Sequence, residues 1–294
     1  MKKLFAIFAM MCAVTSVMAQ DIRVVLPNPS GGTFDKVGRA WAKALENALG
    51  KPVTVENQPG ANGAIGTRFV ANYAGSDIVL LGSGTTLFIN NDQVDGINDV
   101  EPIYYLGYVP EAIVARPDFK YNTVAEFVKN SNERVTLANL SNADASTIFK
   151  SVVKKSNISL ITYKGSAQSM TDVIGGHVDL SSAGLANVKQ LYDTGKIKIL
   201  GYSGSQRSPL IPNVPTFAEQ GIAMPATLKF YVYASKNANK DQIAQIVRAL
   251  DKAVASPEFQ ESRNQLNLIA EPVKGSARQH FIDSTKEIYD ILKN

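Results

Sequence analysis

From Asp21 onward, short apolar runs alternate with amphipathic stretches, and this alternation limits the folds open to the chain more than any other feature. "DIRVVL" is followed by an amphipathic stretch over 33–49, then "VTVEN", a helix near 62–73, and "DIVLLG". Apolar runs of this length read as buried strands, and alternation with helices predicts an α/β fold around mostly parallel sheets. In the first helix Phe34, Val37, Trp41, Leu45 and Ala48 recur at spacings of three and four, which gives it one apolar face. Gly50 and Pro52 end it. Trp41 lies within that stripe, so packing explains it better than stacking on a ligand.

The pattern restarts at "EAIVARPDF". A helix at 123–131, strand "RVTLANL", a helix near 145–155, strand "SLITYK" and a helix over 167–174 come first. Strand "HVDLSSA", a helix near 187–193 and strand "IKILGYS" follow. After the turn-rich "PNVPTFAEQGI" comes strand "LKFYVYAS", then helices at 240–266 and 276–292. The last helices have no sheet of their own and are expected to pack on the first lobe. The expected division is therefore 20–112 plus 228–294 for lobe 1 and 113–227 for lobe 2, with two crossings and a cleft between them. The chain is long enough for two cores.

Residues 1–19 read as a secretory signal peptide. Lys2 and Lys3 precede a short apolar core, and Val17 and Ala19 sit three and one residues before the expected cut. Thr15 and Ser16 break that core, which is shorter than the roughly 20 residues of a membrane span. Cys12, the single cysteine, falls inside the leader, and Met11 before it is too bulky for lipoprotein processing. The mature chain thus has no disulfide and no cysteine metal site. Export with this composition points to a bacterial periplasm. The whole chain carries 30 Lys and Arg against 26 Asp and Glu without a long basic run, and two of the cations leave with the leader. Nucleic acid, which needs a clustered basic face, is excluded as a partner.

Several turns suit an anion. In "PNPSGGTFD", Gly31 and Gly32 open the backbone where a helix starts, and Ser30 or Thr33 adds a hydroxyl. Unpaired amides and the positive end of the helix dipole favour a carboxylate or phosphate there. Asp35, in the first turn, either caps amides or contacts ligand. "NLSNADAST", with Ser141, Asn142, Ser146 and Thr147, and "TYKGSAQS", with Tyr163, Lys164, Gly165, Ser166 and Ala167, repeat the arrangement in the second lobe. Ser146, Thr147 and Ser166 have an ordinary capping reading as well, but strand ends of open α/β sheets are where ligands bind.

Enzyme signatures are missing. "PSGGTFDK" lacks the Gly-Lys-Ser/Thr of a phosphate loop, and "GANGAIG" at 60–66 spaces its glycines unlike a dinucleotide fingerprint. His177 and His280, the only histidines, have neither metal spacing nor a nucleophile motif; the first belongs to a helix-to-strand turn and the second to a helix surface. Glu101, Asp118 and Glu126 show no pairing suited to acid and base work. No catalytic residue, metal or cofactor is expected.

Four segments in order, "IRVVLPNPSGGTFDKVGR", "LGKPVTVENQPGANGAIG", "TYKGSAQSMTDVIGGHVDL" and "SGSQRSPLIPNVPTFAEQG", resemble the extracytoplasmic receptors of tripartite tricarboxylate transporters, the Bug family. The resemblance spans nearly the whole mature chain. It implies a periplasmic binding protein with two α/β lobes of type II arrangement, a Venus flytrap that closes on a small organic acid. It also implies no catalysis, a monomer, and delivery of the solute to a two-subunit membrane permease driven by an ion gradient. In such receptors the turns matching Pro29 to Asp35 and Tyr163 to Ala167 hold a carboxylate through amides, hydroxyls and bridging waters. Ser141 to Thr147 and the corner "GSGTT", with Ser83, Thr85 and Thr86, match further cleft segments.

The chain departs from the family pattern in places. Asn28 stands where an aromatic residue is usual, which favours a more polar solute. "AGSD" replaces the usual Pro-Asp-Gly-Tyr, and "DLSSAGLANV" lacks the usual aspartate and asparagine, leaving Ala183, Gly184 and Asn187 as candidate contacts. The C-terminal helix also ends early. Lys164, the nearest cation, either neutralises the anion or is a solvated rim residue. The rival functions are a solute sensor for a membrane kinase, and a periplasmic hydrolase that the scarcity of histidine argues against.

Overall fold

The computed structural model describes residues 21–73, 75–83, 99–140, 145–154, 157–271, 273 and 275–293. The expected leader, Thr85, Thr86, Ser141 and Asn142 lie outside the described residues.

The chain forms two five-stranded mixed sheets, each flanked by helices on both faces. The first half-lobe runs β1 (Ile22–Leu26), α1 (Thr33–Leu49), β2 (Val53–Asn57), α2 (Ala64–Ala71) and β3 (Ile78–Ser83), followed by β4 (Val100–Tyr108). The second lobe runs β5 (Glu111–Ala115), α3 (Val124–Asn130), β6 (Val135–Asn139), α4 (Ala145–Val153), β7 (Ile158–Thr162), α5 (Ser166–Gly175), β8 (Leu180–Gly184), α6 (Leu185–Asp193) and β9 (Lys198–Tyr202). The chain then returns as β10 (Lys229–Ser235), α7 (Lys240–Ala255), α8 (Pro257–Leu266) and α9 (Ala277–Lys293).

Strand order is β2-β1-β3-β10-β4 in the first sheet and β7-β6-β8-β5-β9 in the second. β1 pairs in parallel with β2 and β3, and β6 with β7 and β8. β10 and β5 run antiparallel to both of their neighbours. The two reversed strands have one cause. Each is the first strand after a crossing, so it enters its sheet from the end where the parallel strands finish and must run the other way. Val109 and Pro110 form the first crossing, so the boundary expected after residue 112 falls inside β5.

The apolar stripe of α1 packs as its spacing predicts: Val37, Trp41 and Leu45 are fully buried with Val24, Val232 and Leu250 on one face of the first sheet. Burying side chains of this size stabilises by roughly 1.5–3 kcal/mol each. α2 and α9 cover the opposite face around Tyr231, Tyr233 and Phe281. Phe127 and Phe149 anchor one face of the second sheet, Val173 and Val188 the other.

Two expectations change. "EPIYYLGY", not read as a strand, forms β4 at the edge of the first sheet. The helix expected over 240–266 is two helices, because Ser256 ends α7 and caps α8, whose first residue is Pro257. Proline has no N–H to continue a helix but fits the first position of a new one. The last helices do pack on the first lobe, α7 and α8 against α1, while α9 spans from β4 to α4 of the second lobe.

Candidate functional site

Between the lobes lies a cavity of about 780 Å³, walled by the residues that follow the parallel strands and by the two crossings. Lobe 1 contributes Asn28, Ser30, Gly32 and Thr33 after β1, Gly60 and Gly63 after β2, and Ser83 at the end of β3. Lobe 2 contributes Leu140 after β6, Tyr163 to Ala167 after β7, and Ser182, Ala183 and Gly184 at the end of β8. The crossings add Glu111, Thr227 and Leu228.

Four helix starts converge on this space. α1, α2, α5 and α6 begin after Gly32, Gly63, Gly165 and Gly184, and none of these N-termini has a side-chain cap. All four glycines line the cavity. The first amides of a helix have no partner within it and carry the positive end of its dipole, so such starts offer donors to an anion. At α2 and α6 the first amide is already used, Ala64 donating to the Ala61 carbonyl and Leu185 to the Pro110 carbonyl at 2.9 Å, which leaves α1 and α5 as the fuller donors. α1 and α5 face each other closely, since a methyl group built on Gly32 would lie 3.9 Å from Ser166 Oγ.

The turn before α1 is braced from behind. Gly31, at φ +84°, donates its amide to Asp35 Oδ2 at 3.0 Å. Asp35 also accepts from Arg39 Nε at 3.0 Å and from Asn57 Nδ2 at 3.1 Å. Asn57 Nδ2 donates to the Asn28 carbonyl at 3.1 Å as well. Burial works against ionisation of Asp35, but the bonds from Arg39, Gly31 and Asn57 outweigh it and hold its carboxyl below the ordinary value. Its two readings therefore resolve toward the backbone: Asp35 is committed to the turn and does not line the cavity, and neither does Gly31.

The remaining sequence candidates divide in the same way. Tyr163 lines the cavity but donates its hydroxyl to Asp172 at 2.7 Å, and burial together with that carboxylate pushes its pKa up to about 12. Ser146 is fully buried; its hydroxyl donates to the Ala138 carbonyl at 2.5 Å and lies 2.8 Å from Ser182 Oγ. It stands behind Ser182, which is the residue that reaches the cavity. Thr147 does not line it either. Asn187 donates across the lobes to Thr33 Oγ1 at 2.8 Å, beside a contact so close that a Cβ on Gly184 would lie 2.6 Å from the same oxygen. It joins the lobes at the cavity edge instead of lining it. Lys164 lines the cavity from an exposed position.

Glu111, Thr227 and Ser182 were not read from the sequence as site residues. The sequence cue for the first two is their place at the ends of the crossings, visible only once β5 and β10 are assigned. His177 is exposed at its turn, as expected. His280 is not a plain surface residue: it is half-buried, with Nδ1 at 2.8 Å from Tyr231 Oη, and burial first and Lys229 second lower its pKa. Among the described residues no group of three or more metal-ligating side chains occurs, and no helix is long and apolar enough to cross a membrane.

Two α/β lobes joined by two crossings, with amide-rich helix starts around the cavity between them, define a binding protein of the periplasmic type. The chain belongs to the tripartite tricarboxylate transporter family receptors, whose family model matches residues 37–290. These are solute-binding receptors, not an enzyme family. BugT of Bordetella pertussis is 29% identical over 252 residues, covering 81% of this chain and 77% of its own. The periplasmic binding protein BugD superposes with a TM-score of 0.76 at 29% identity, covering 93% of this chain and 94% of that one. MatC of Rhodopseudomonas palustris, solved with bound malate, gives a TM-score of 0.81 at 20% identity over 93% of this chain and 99% of its own. This last likeness concerns the fold.

Proposed function

We propose that the protein is a periplasmic receptor that captures a small carboxylate and delivers it to a two-subunit membrane permease of the tripartite tricarboxylate type. The facing of two uncapped, glycine-led helix starts, α1 and α5, across one cavity carries this reading. Amides aimed at one point neutralise a carboxylate without a matching cation, because they are strong donors held in place before the anion arrives. The cavity volume suits a small organic solute, and the malate bound to MatC belongs to the same chemical class.

In this reading the contacts come from Ser30, Gly32 and Thr33 in lobe 1 and from Lys164, Gly165, Ser166 and Ala167 in lobe 2. The lobes, divided at the two crossings, close on the solute, so affinity reflects the hinge equilibrium as well as the contacts. Export by the 1–19 leader places the receptor in the periplasm, where it acts as a monomer. A thermal-shift screen of organic acids tests the core claim. A ligand at about 100 times its dissociation constant raises stability by roughly 2.7 kcal/mol. A shift with amines or sugars and none with any acid would overturn it.

A further inference from the structure

We infer that Asn187 of lobe 2 is a positioning residue that makes the Thr33 hydroxyl of lobe 1 a donor to the solute. This rests on the carboxylate reading above and adds the group that orients one of its contacts.

A hydroxyl has one hydrogen and two acceptor sites, and the hydrogen turns to suit its neighbours. Thr33, the first residue of α1, is buried and lines the cavity. Its Oγ1 accepts from Asn187 Nδ2 at 2.8 Å across the lobes. An amide donor in that place sets the sense of the bond, because the hydroxyl cannot aim its own hydrogen at Nδ2. Among the described residues no acceptor takes that hydrogen. Thr33 borders the cavity, so a solute carboxylate there is the acceptor that completes the hydroxyl. A hydroxyl that already accepts is also the stronger donor, since linked hydrogen bonds polarise one another.

Asn187 is firmly held for this task. It is the third residue of α6, flanked in the helix by the buried Leu185 and Val188. The start of α6 is tied to the first crossing, where the Leu185 amide donates to the Pro110 carbonyl at 2.9 Å. Gly184 admits the close approach, since a Cβ there would lie 2.6 Å from Thr33 Oγ1. Asn187 Oδ1 is buried without a partner. Burying an amide oxygen that has no donor opposes folding, and a leucine of similar size would avoid it. Local stability therefore does not account for an asparagine here, whereas orientation of Thr33 does.

Calorimetric titration with malate, succinate and adipate tests the inference. Thr33→Val and Asn187→Leu should each weaken binding about tenfold, the worth of one hydrogen bond to a charged group. The double variant should lose about tenfold as well, not a hundredfold, because Asn187 acts through Thr33. Asn187→Asp should weaken binding further, since its carboxylate accepts the Thr33 hydrogen and turns it from the solute. The melting temperature of the unliganded double variant should hold or rise, because both partners and the unpaired oxygen leave together; a purely structural role would lower it. Should Asn187→Leu fail to fold by circular dichroism, the double variant is compared with Thr33→Val alone and should match it. Native affinity in Asn187→Leu or in Thr33→Val, or losses that multiply in the double variant, overturn the role of Asn187 and leave the carboxylate reading intact. A native protein that binds none of the three acids overturns both.

Discussion

The helix starts that face the cleft differ from those that face away. Thr123 Oγ1 caps α3 by accepting from the Glu126 amide at 3.1 Å, Asn239 Oδ1 caps α7 from the Asp241 amide at 3.0 Å, and Ser256 Oγ caps α8 from the Phe259 amide at 3.2 Å. Each uses its own side chain to satisfy an amide that would otherwise need water. At the cleft, Gly32, Gly63, Gly165 and Gly184 stand in the same position and provide no such group. A capped start gains roughly 0.5–2 kcal/mol over an alanine, and a glycine recovers most of that through water. The cleft helices thus leave unused the modest stabilisation of a side-chain cap, and α1 and α5 keep their first amides available, whereas those of α2 and α6 donate to the Ala61 and Pro110 carbonyls. The contrast separates stability from binding, residue by residue.

The largest expected effect comes from giving a cleft helix the cap it lacks. Gly165 is in extended backbone, and a Cβ there meets nothing within 4 Å, so Gly165→Asp fits the fold. Its carboxylate would occupy the amides and repel the solute, lowering acid affinity by about 100-fold or more in calorimetry. The melting temperature of the unliganded protein should meanwhile hold or rise slightly, since Asp is a better cap than Gly. A variant that binds acids as well as the native chain would show that this helix start is not part of the grip.

Next is the contact between lobes. In Gly184→Val the new side chain would meet Thr33 Oγ1 and Cγ2, where Cβ alone lies at 2.6 and 2.9 Å. Closure should be hindered and affinity should fall about tenfold, because apparent affinity scales with the population of the closed form. Small-angle scattering should then show a wider molecule in the presence of solute.

The capped side predicts the reverse pattern. Asn239→Ala should cost about 1 kcal/mol in urea denaturation, with solute affinity unchanged. Loss of affinity there would erase the distinction between the two sets of helix starts.

The smallest effect concerns pH. Asp35 has a folded pKa below its ordinary 3.8, so its contribution to stability is present above that value and is lost as pH falls through the lower folded value. Asp35→Asn should therefore lower stability near neutrality and flatten the acid limb below about pH 4. An unchanged acid limb in thermal melts at stepped pH would remove Asp35 from the bracing of the "PSGG" turn.

The α/β class, the extent of α1 and the turns before α1 and α5 were legible because they depend on local patterns. Apolar spacing sets which face of a helix is buried, and glycine at a helix start shows directly in the chain. The helix break at Ser256 was less legible, since the apolar periodicity on either side hid what Pro257 imposes. β4 was missed because "EPIYYLGY" is an edge strand whose partner, β10, lies more than a hundred residues later in the chain. Asp35 and Ser146 could not be assigned from type and position alone. Each sits where a contact residue would sit, and only its bonds to Arg39 and Gly31, or to Ala138, show that it serves the backbone.

By itself, then, the sequence determined two α/β lobes and the glycine turns that could hold an anion, because strand length, helix period and turn chemistry are short-range properties. Only the tertiary structure decided which turns share one cavity, which hydroxyls face it, and that Glu111 and Thr227 meet in its wall. Those outcomes depend on two crossings that bring residues more than a hundred positions apart into hydrogen-bond range, and no local pattern encodes such a meeting.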